Sequence, residues 1–593
     1  MRYSLGVSGR SGAVHVVRVR KTGYVDKAGR VRDYESAYLR RTYRDGGKVK
    51  NETVANLSVL PPHVIDWIDA GLKGAQLVPA QTVASVARSL PHGHVAAVWA
   101  QARALGLPVL LGPAGRHRDL ALALIVSRVL EPASKLATLG SWADSTLGVD
   151  LDVADAGTDE VYAAMDWLLG RQDAIERTLA ARHLAPAANP AGMALFDLSS
   201  SWVEGRCCPL AARGYSRDGK KGKLQIEYGL LTDPAGRPVA VRVFAGNTAD
   251  PSAFIEAVDT VRGKFGLDRL VMVGDRGMIT SARIEALRAL GGTGWLTALR
   301  APAIAKLAAD DGPLQLTLFD EQDLAEISHP DYPDERLIAC RNPLLAKQRA
   351  RKRHELLAAT ETLLDPLIRA VHQGRLAGAD AIGLRVGKVI NKFKMAKHLA
   401  VTITDASLTV TRKQDQIDAE AALDGIYVLR TSVPTDQLDA PGVVIAYKNL
   451  AHLERDFRTI KVDDLDLRPI RHRLEDRVRA HVLICALAAY LVWHLRRAWA
   501  PLTYTDEHPP DRDNPVAPAT RSPQAIAKAS RHRDIHDQPL HSFRGLLTHL
   551  ATLTRNDLRY GDTEITVPTL TDPTPTQRHA FDLINQSIPL TLK

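Results

Sequence analysis

At 593 residues the chain is too long for one simple core, so several domains are expected. Its apolar share of 45% is that of an ordinary globular protein, and its four cysteines (Cys207, Cys208, Cys340 and Cys485) show no CxxC pairing. That argues against a disulfide framework or a zinc ribbon and fits a reducing cytosol. A net charge of +10 and a pI of about 9.3 suit a polyanionic partner.

The first residues, Met1-Arg2-Tyr3-Ser4, lead into no long apolar core, so no signal peptide is expected. Residues 1–60 read as a strand-rich unit with a turn at Lys27-Ala28-Gly29, closed by Pro61-Pro62. Residues 61–190 read as a mainly helical region, with apolar residues at helical spacing in RDLALALIVSRVL and a capping signal at Thr158. LAPAANPAG, ending at Gly192, is a linker.

The texture then changes. MALFDLSSSWV, LQIEYGLLTD and PVAVRVFAG are successive strands, with a Pro234-Ala235-Gly236 turn before the last. A helix follows from Ser252, then a strand LVMVGD, a helix SARIEALRAL closed by Gly291-Gly292, and a strand GWLTALR. This order predicts a mixed α/β sheet over 191–300 that resumes with GIYVLRTSV within 425–500. Residues 301–424 interrupt it as a basic, partly strand-rich insertion. From Arg341 to Ala400 there are thirteen Lys/Arg against four Asp/Glu, a surplus of nine positive charges. The apolar run Ala480–Leu495, broken by His481 and His494, falls short of a membrane span and reads as a buried helix. Residues 501–593 form a Pro-rich extension with helices near 524–530 and 538–552.

Three acids stand out. Asp197 lies in the first strand of the sheet and Asp275 ends the fourth, where a carboxylate needs a positive partner. One reading pairs Asp275 with Arg276 or Arg300; the other turns both acids toward a metal. In YKNLAHLERDFRTIK, Tyr447, Glu454 and Lys461 recur every seven residues and fall on one helical stripe. Glu454 therefore either joins the two Asp residues or pairs with Arg458 one turn on. Two Asp and one Glu make an oxygen donor set for hard divalent ions, and an ion pair in such a site serves phosphoryl transfer.

LFDLSSSWVEG, GYSRDGKKGKLQIEYGLLTDPAGRPVAVRVFAGNTAD, VMVGDRGMIT and YKNLAHLERDFRTIK, followed by RPIRHRLEDRVRAHVLICALA, resemble a DDE transposase of a bacterial insertion sequence, in the IS4-like superfamily and its IS1634 group. The resemblance implies an RNase H-like mixed-sheet catalytic core with a large insertion, plus a helical N-terminal region that binds DNA ends. It implies Asp197, Asp275 and Glu454 as catalytic residues and ligands of two Mg²⁺ ions, with Mn²⁺ substituting. Tyr447, Lys461 and Arg458 would contact DNA phosphate, as would Lys388, Lys392, Lys394 and Lys397 of the basic block. Where the family signature has Arg, this chain has Leu450, and Arg455 or Arg458 would compensate. Tyr215, Arg217, Asp218, Asn247 and Asp250 would shape the site, although Asn247 and Asp250 also suit a turn that caps a helix from Pro251. The implied activity is metal-dependent nicking at the element's ends and joining of the freed 3′-OH to DNA, by a homodimer acting on terminal inverted repeats and target DNA. Its expected place is the cytoplasm, associated with the nucleoid, without a membrane. A nuclease of the same fold that does not join strands and an inactive DNA-binding relative are the alternatives, with a metal-dependent hydrolase of small phosphates a third that leaves the basic insertion unexplained.

Overall fold

The computed structural model describes every residue except 1–11, 28, 76–83, 249–257, 260–262, 264, 266–269, 310–311, 561–564 and 593. Two compact units emerge: residues 1–89 with 556–569, and residues 90–555 with 570–593.

In the first unit, β1 (Ala13–Val25), β2 (Val31–Asp45) and β3 (Lys48–Asn56) form an antiparallel meander. Its core is small: Ala37, Leu57 and Ile65 are buried, the last on the helix Pro62–Leu72. β4 (Ala84–Pro91) belongs to a separate three-stranded sheet completed from the far end of the chain.

The second unit is built on an eight-stranded sheet. In chain order its strands are β5 (Met193–Trp202), β6 (Gln225–Thr232), β7 (Pro238–Ala245), β8 (Leu270–Val273), β9 (Thr293–Ala298), β10 (Leu324–Ile327), β11 (Arg336–Arg341) and β14 (Ile426–Thr431). Across the sheet they run β10-β11-β14-β9-β8-β5-β6-β7. β5 pairs antiparallel with β6, and β6 with β7; β8 and β9 run parallel to β5. Every residue of β6 and β8 is buried, which explains their unbroken apolar runs: both faces are covered.

Helices Gly93–Ala104, Arg116–Leu130 and Thr158–Leu169 pack with the long helix Glu475–Ala498. The last has the length and hydropathy of a membrane span, beyond the shorter run read from sequence. Yet 83% of its most apolar window is buried inside the protein, so it is the core helix expected. The helix placed at Thr158 does begin there. Gly157 is its cap, and the Gly157 amide donates to Glu160 Oε2 at 2.9 Å.

The stretch 301–424 divides in two. Its first part places β10 and β11 on the core sheet beyond β14, because Leu337, Ile338, Ala339 and Cys340 are buried and register with β14. The excursion proper is mostly helical. The helices Pro343–His372 and Ala379–Phe393 close with the hairpin β12 (Leu399–Ile403) and β13 (Leu408–Arg412) on a core of their own, around Leu357, Leu364, Ile382 and Val386. Beyond 501, the helices Pro523–Arg531 and Phe543–Ala551 lie close to their expected places. β15 (Thr554–Tyr560) and β16 (Thr566–Leu570) complete the sheet of β4. The helix read from Ser252, and Asp250 before it, lie largely outside the described residues.

Candidate active site

β5 and β8 pair Met193 with Val271, Ala194 with Met272 and Leu195 with Val273. Asp197 and Asp275 each follow the last of these pairs by two residues, so both acids stand at the same end of the parallel pair, Asp197 still in β5 and Asp275 just past the carboxyl end of β8. Asp275 does not end buried in the strand. It opens a tight turn and is exposed, with its Oδ1 accepting from the amides of Gly277 at 2.8 Å and Met278 at 2.7 Å. The turn fixes one carboxylate oxygen and leaves the other open. Among the described residues Asp275 forms no ion pair, and Arg300 instead donates to the Arg276 carbonyl at 3.4 Å. The reading of Asp275 as a plain salt-bridge residue is therefore not what the structure has.

Glu454 is carried by the helix Leu450–Arg458, which packs on β5 through the buried Leu453 and Phe457; the Phe457 ring meets that of Tyr228 edge-on at 5.8 Å. This apolar face turns Glu454 outward. Arg458 does not pair with it but lies 3.4 Å from Asp463. Leu450, where the family has Arg, is partly buried against the core.

Asp197 feels the other two acids. Its carboxyl is pushed up to about 7, by burial first, with the charges of Asp275 and Glu454 adding to it, against the Leu198 amide (2.8 Å to Oδ1) and Arg217. The Tyr447 hydroxyl is pushed up to about 12, by burial first and then by Asp275, with Glu454 and Asp197 adding to it. Asp197, Asp275, Glu454 and Tyr447 thus share one electrostatic site.

Lys461 does not join them. The helix bends at Asn449, and beyond Arg458 it widens into a π-turn, Thr459–Asp463. The change of winding breaks the seven-residue stripe, and Lys461 is buried with its Nζ 2.9 Å from Asp218 Oδ1. Arg468 meets the same oxygen. Arg217 and Asp218 therefore act within the protein: the Arg217 amide donates to Ser200 Oγ at 3.0 Å, and its side chain lies 3.4 Å from Glu227. Tyr215 and Asn247 are exposed.

Lys388, Lys392 and Lys394 lie exposed on or at the end of the helix Ala379–Phe393, and Lys394 closes it in the left-handed conformation. Lys397 pairs with Glu420. Sequence reading missed two features. Arg276, beside Asp275, and Tyr447 line a cavity of about 800 Å³ together with Arg349 and Lys352 of the basic helix Pro343–His372. Asp456, two residues from Glu454, is half-buried, with a buried oxygen that has no hydrogen-bond partner among the described residues, and burial pushes its carboxyl up to about 8. The only sequence signal for Asp456 was its place beside the apolar positions Leu453 and Phe457.

Among the described residues no group of three His, Cys, Asp or Glu side chains is gathered closely enough to cage a metal ion. The donor set still fits one: hard carboxylate oxygens, with Asp197 raised first by burial and then by the charges of Asp275 and Glu454.

The family model described as "Transposase DDE domain" matches residues 203–491, and "IS1634 family transposase, N-terminal domain" matches residues 25–82. Asp275 and Glu454 fall inside the first match and Asp197 just ahead of it; the strand of Asp197, β5, pairs with β8 and packs against the Glu454 helix. No curated protein matches the chain. Among solved structures, the piggyBac transposase synaptic complex with hairpin DNA, determined by cryo-EM, is similar at 8% identity. The match covers 77% of this chain and 76% of that one, with a TM-score of 0.31, too low to carry an argument.

Proposed function

The chain belongs to the DDE transposases of insertion sequences, in the IS1634 group, and from that premise we propose that it nicks the ends of its element by metal-dependent hydrolysis and joins the freed 3′-OH to DNA. What supports the assignment of residues is the parallel pairing of β5 with β8, which ends two residues short of Asp197 and Asp275, together with the charges of Asp275 and Glu454 felt at Asp197. The strand order β9-β8-β5-β6-β7, with three antiparallel strands and two parallel to the first, supports the RNase H-like reading of the core.

Asp197, Asp275 and Glu454 would hold the divalent ions, Mg²⁺ or Mn²⁺. When bound, these supply an activated attacking oxygen and a stabilised leaving oxygen for in-line displacement at phosphorus. The Gly277 and Met278 amides hold Asp275 in place, and the packing of Leu453 and Phe457 fixes the helix that presents Glu454. Tyr447, its hydroxyl kept protonated, donates to a phosphate oxygen. Lys461 holds the π-turn to the core through Asp218 and so positions the Glu454 helix. Arg458, Lys388, Lys392 and Lys394 contact backbone phosphate, with Arg349 and Lys352 along the cavity wall. Residues 1–190 read the terminal inverted repeats, and a homodimer on nucleoid DNA pairs two ends.

The test is strand cleavage of labelled DNA carrying the gene's natural flanks, with Mg²⁺ or Mn²⁺, for wild type and Asp275→Asn. Asn keeps an oxygen for the two amides, so the fold survives, as circular dichroism checks. Site-specific 3′-OH nicks and joined products that vanish in the variant are the expected result. Equal cutting by a folded variant would remove Asp275 from the site, and nicks without joined products would favour the nuclease.

A further inference from the structure

Among the helices lies a second cavity, of about 370 Å³. It is walled by the helices Arg116–Leu130, Lys135–Ser141 and Glu475–Ala498 and by the loop 466–472. Its polar lining holds Arg128, Lys135, Arg468, Arg471, His472 and His481, with Ser134, Tyr162 and one acid, the exposed Asp466; Arg468 is held by Asp218 and Arg471 lies 3.2 Å from Glu204, which leaves Lys135 and Arg128 as the buried cations with no acid beside them.

Lys135 is 6% exposed, and its ammonium meets His481 Nδ1 at 3.2 Å. The other ring nitrogen of His481 faces the Leu467 carbonyl at 3.4 Å, which only accepts, so Nε2 carries the proton and Nδ1 accepts from Lys135. That uses one of three ammonium protons. Among the described residues Lys135 has no other hydrogen-bond partner and no ion pair. Arg128, 5% exposed, donates among the described residues only to the carbonyls of Ala133 at 2.8 Å and Leu465 at 3.5 Å. Two buried cations side by side without a carboxylate are costly, and burial with the Arg128 charge pulls Lys135 down to about 7. Such a pair is stabilised by an anion entering from the open side, where Arg471 and His472 stand.

We propose that this cavity binds a phosphate group, with Lys135 as its buried donor and Arg471 and His472 at its mouth. The cavity can take that group from a DNA backbone or as free phosphate. The site does not depend on the catalytic assignment: it lies outside the cluster of Asp197, Asp275 and Glu454.

The test uses the full chain and two variants, the near-isosteric Lys135→Met and the rim substitution Arg471→Gln, which leaves the buried wall intact. Inorganic phosphate is titrated calorimetrically at constant ionic strength against a chloride control. Saturable binding by wild type, weakened about tenfold or more in each folded variant, is expected. A DNA arm then names the source. If the slope of log affinity against log salt for a duplex falls by about one in the variants, the phosphate is a DNA phosphodiester. If the slope is unchanged while phosphate binding is lost, the ligand is free phosphate. Absence of saturable phosphate binding in wild type, or equal affinity in Arg471→Gln and a folded Lys135→Met, overturns the proposal. Absence of DNA cleavage by wild type that still binds phosphate would count against the catalytic reading alone.

Discussion

Lys461 Nζ donates to Asp218 Oδ1 at 2.9 Å, where Arg468 meets the same oxygen, and both ends of the Lys461–Asp218 pair are buried. Removing the acid strands two cations inside the protein. Asp218→Ala is therefore expected to destabilise the second unit by about 3–5 kcal/mol, because an unpaired buried charge costs more than the pair contributes. Lys461→Met leaves Arg468 on Asp218 and should cost less, about 1–2 kcal/mol. Urea unfolding followed by tryptophan fluorescence measures both, and equal losses would contradict this ordering.

That pair also marks where the sequence stopped being legible. β5 to β9 could be read because their apolar runs are bounded by turns at Pro234-Ala235-Gly236 and Gly291-Gly292, and both faces of the sheet are covered. Asp275 and Glu454 were legible as acids at a strand end and on an amphipathic helix. The place of Lys461 was not, because seven-residue spacing assumes unbroken α winding, whereas the helix bends at Asn449 and widens at Thr459–Asp463. Nor could the sequence show that β10 and β11 extend the core sheet, since that depends on long-range pairing with β14. The cavity joining Arg276 to Arg349 was hidden likewise, its walls being 73 positions apart in the chain.

The raised carboxyl of Asp197 has a consequence for stability. Its folded value, about 7, lies above the ordinary 3.8, so between these values the folded chain keeps a proton that the unfolded chain has lost. Its contribution is fully present below about pH 4, falls as the pH climbs toward 7, and is gone above that. In EDTA, Asp197→Asn should thus be more stable than wild type at pH 8 by about 1–3 kcal/mol, after allowance for solvent screening at a half-buried site. The two should converge at pH 4. Denaturation midpoints at both pH values measure this; a variant less stable at pH 8 would show that Asp197 is stabilised as the anion.

Glu335 ties the far side of the sheet together. Its carboxylate receives Arg430 in a two-pronged contact (2.6 Å from Nε to Oε2), Arg288 at 2.9 Å and the Trp295 indole at 3.2 Å. Glu335→Gln keeps the shape but leaves Arg430, 7% exposed, without a counter-charge. The expected loss is about 2–4 kcal/mol. A thermal melt with a drop of only a degree or two would mean that water replaces the acid.

Tyr447 connects the acids to the basic cavity, so its hydroxyl can be tested apart from its ring. The ring packs partly against the core, and Tyr447→Phe keeps that packing. Stability should change by less than about 0.5 kcal/mol. If the hydroxyl donates to a phosphate oxygen during strand cleavage, kcat falls about tenfold or more, whereas KM for the DNA end moves little. A parallel rise in KM with kcat unchanged would make Tyr447 a ground-state DNA contact. No change in either would leave the hydroxyl outside the reaction, with Arg276 the nearer candidate beside Asp275.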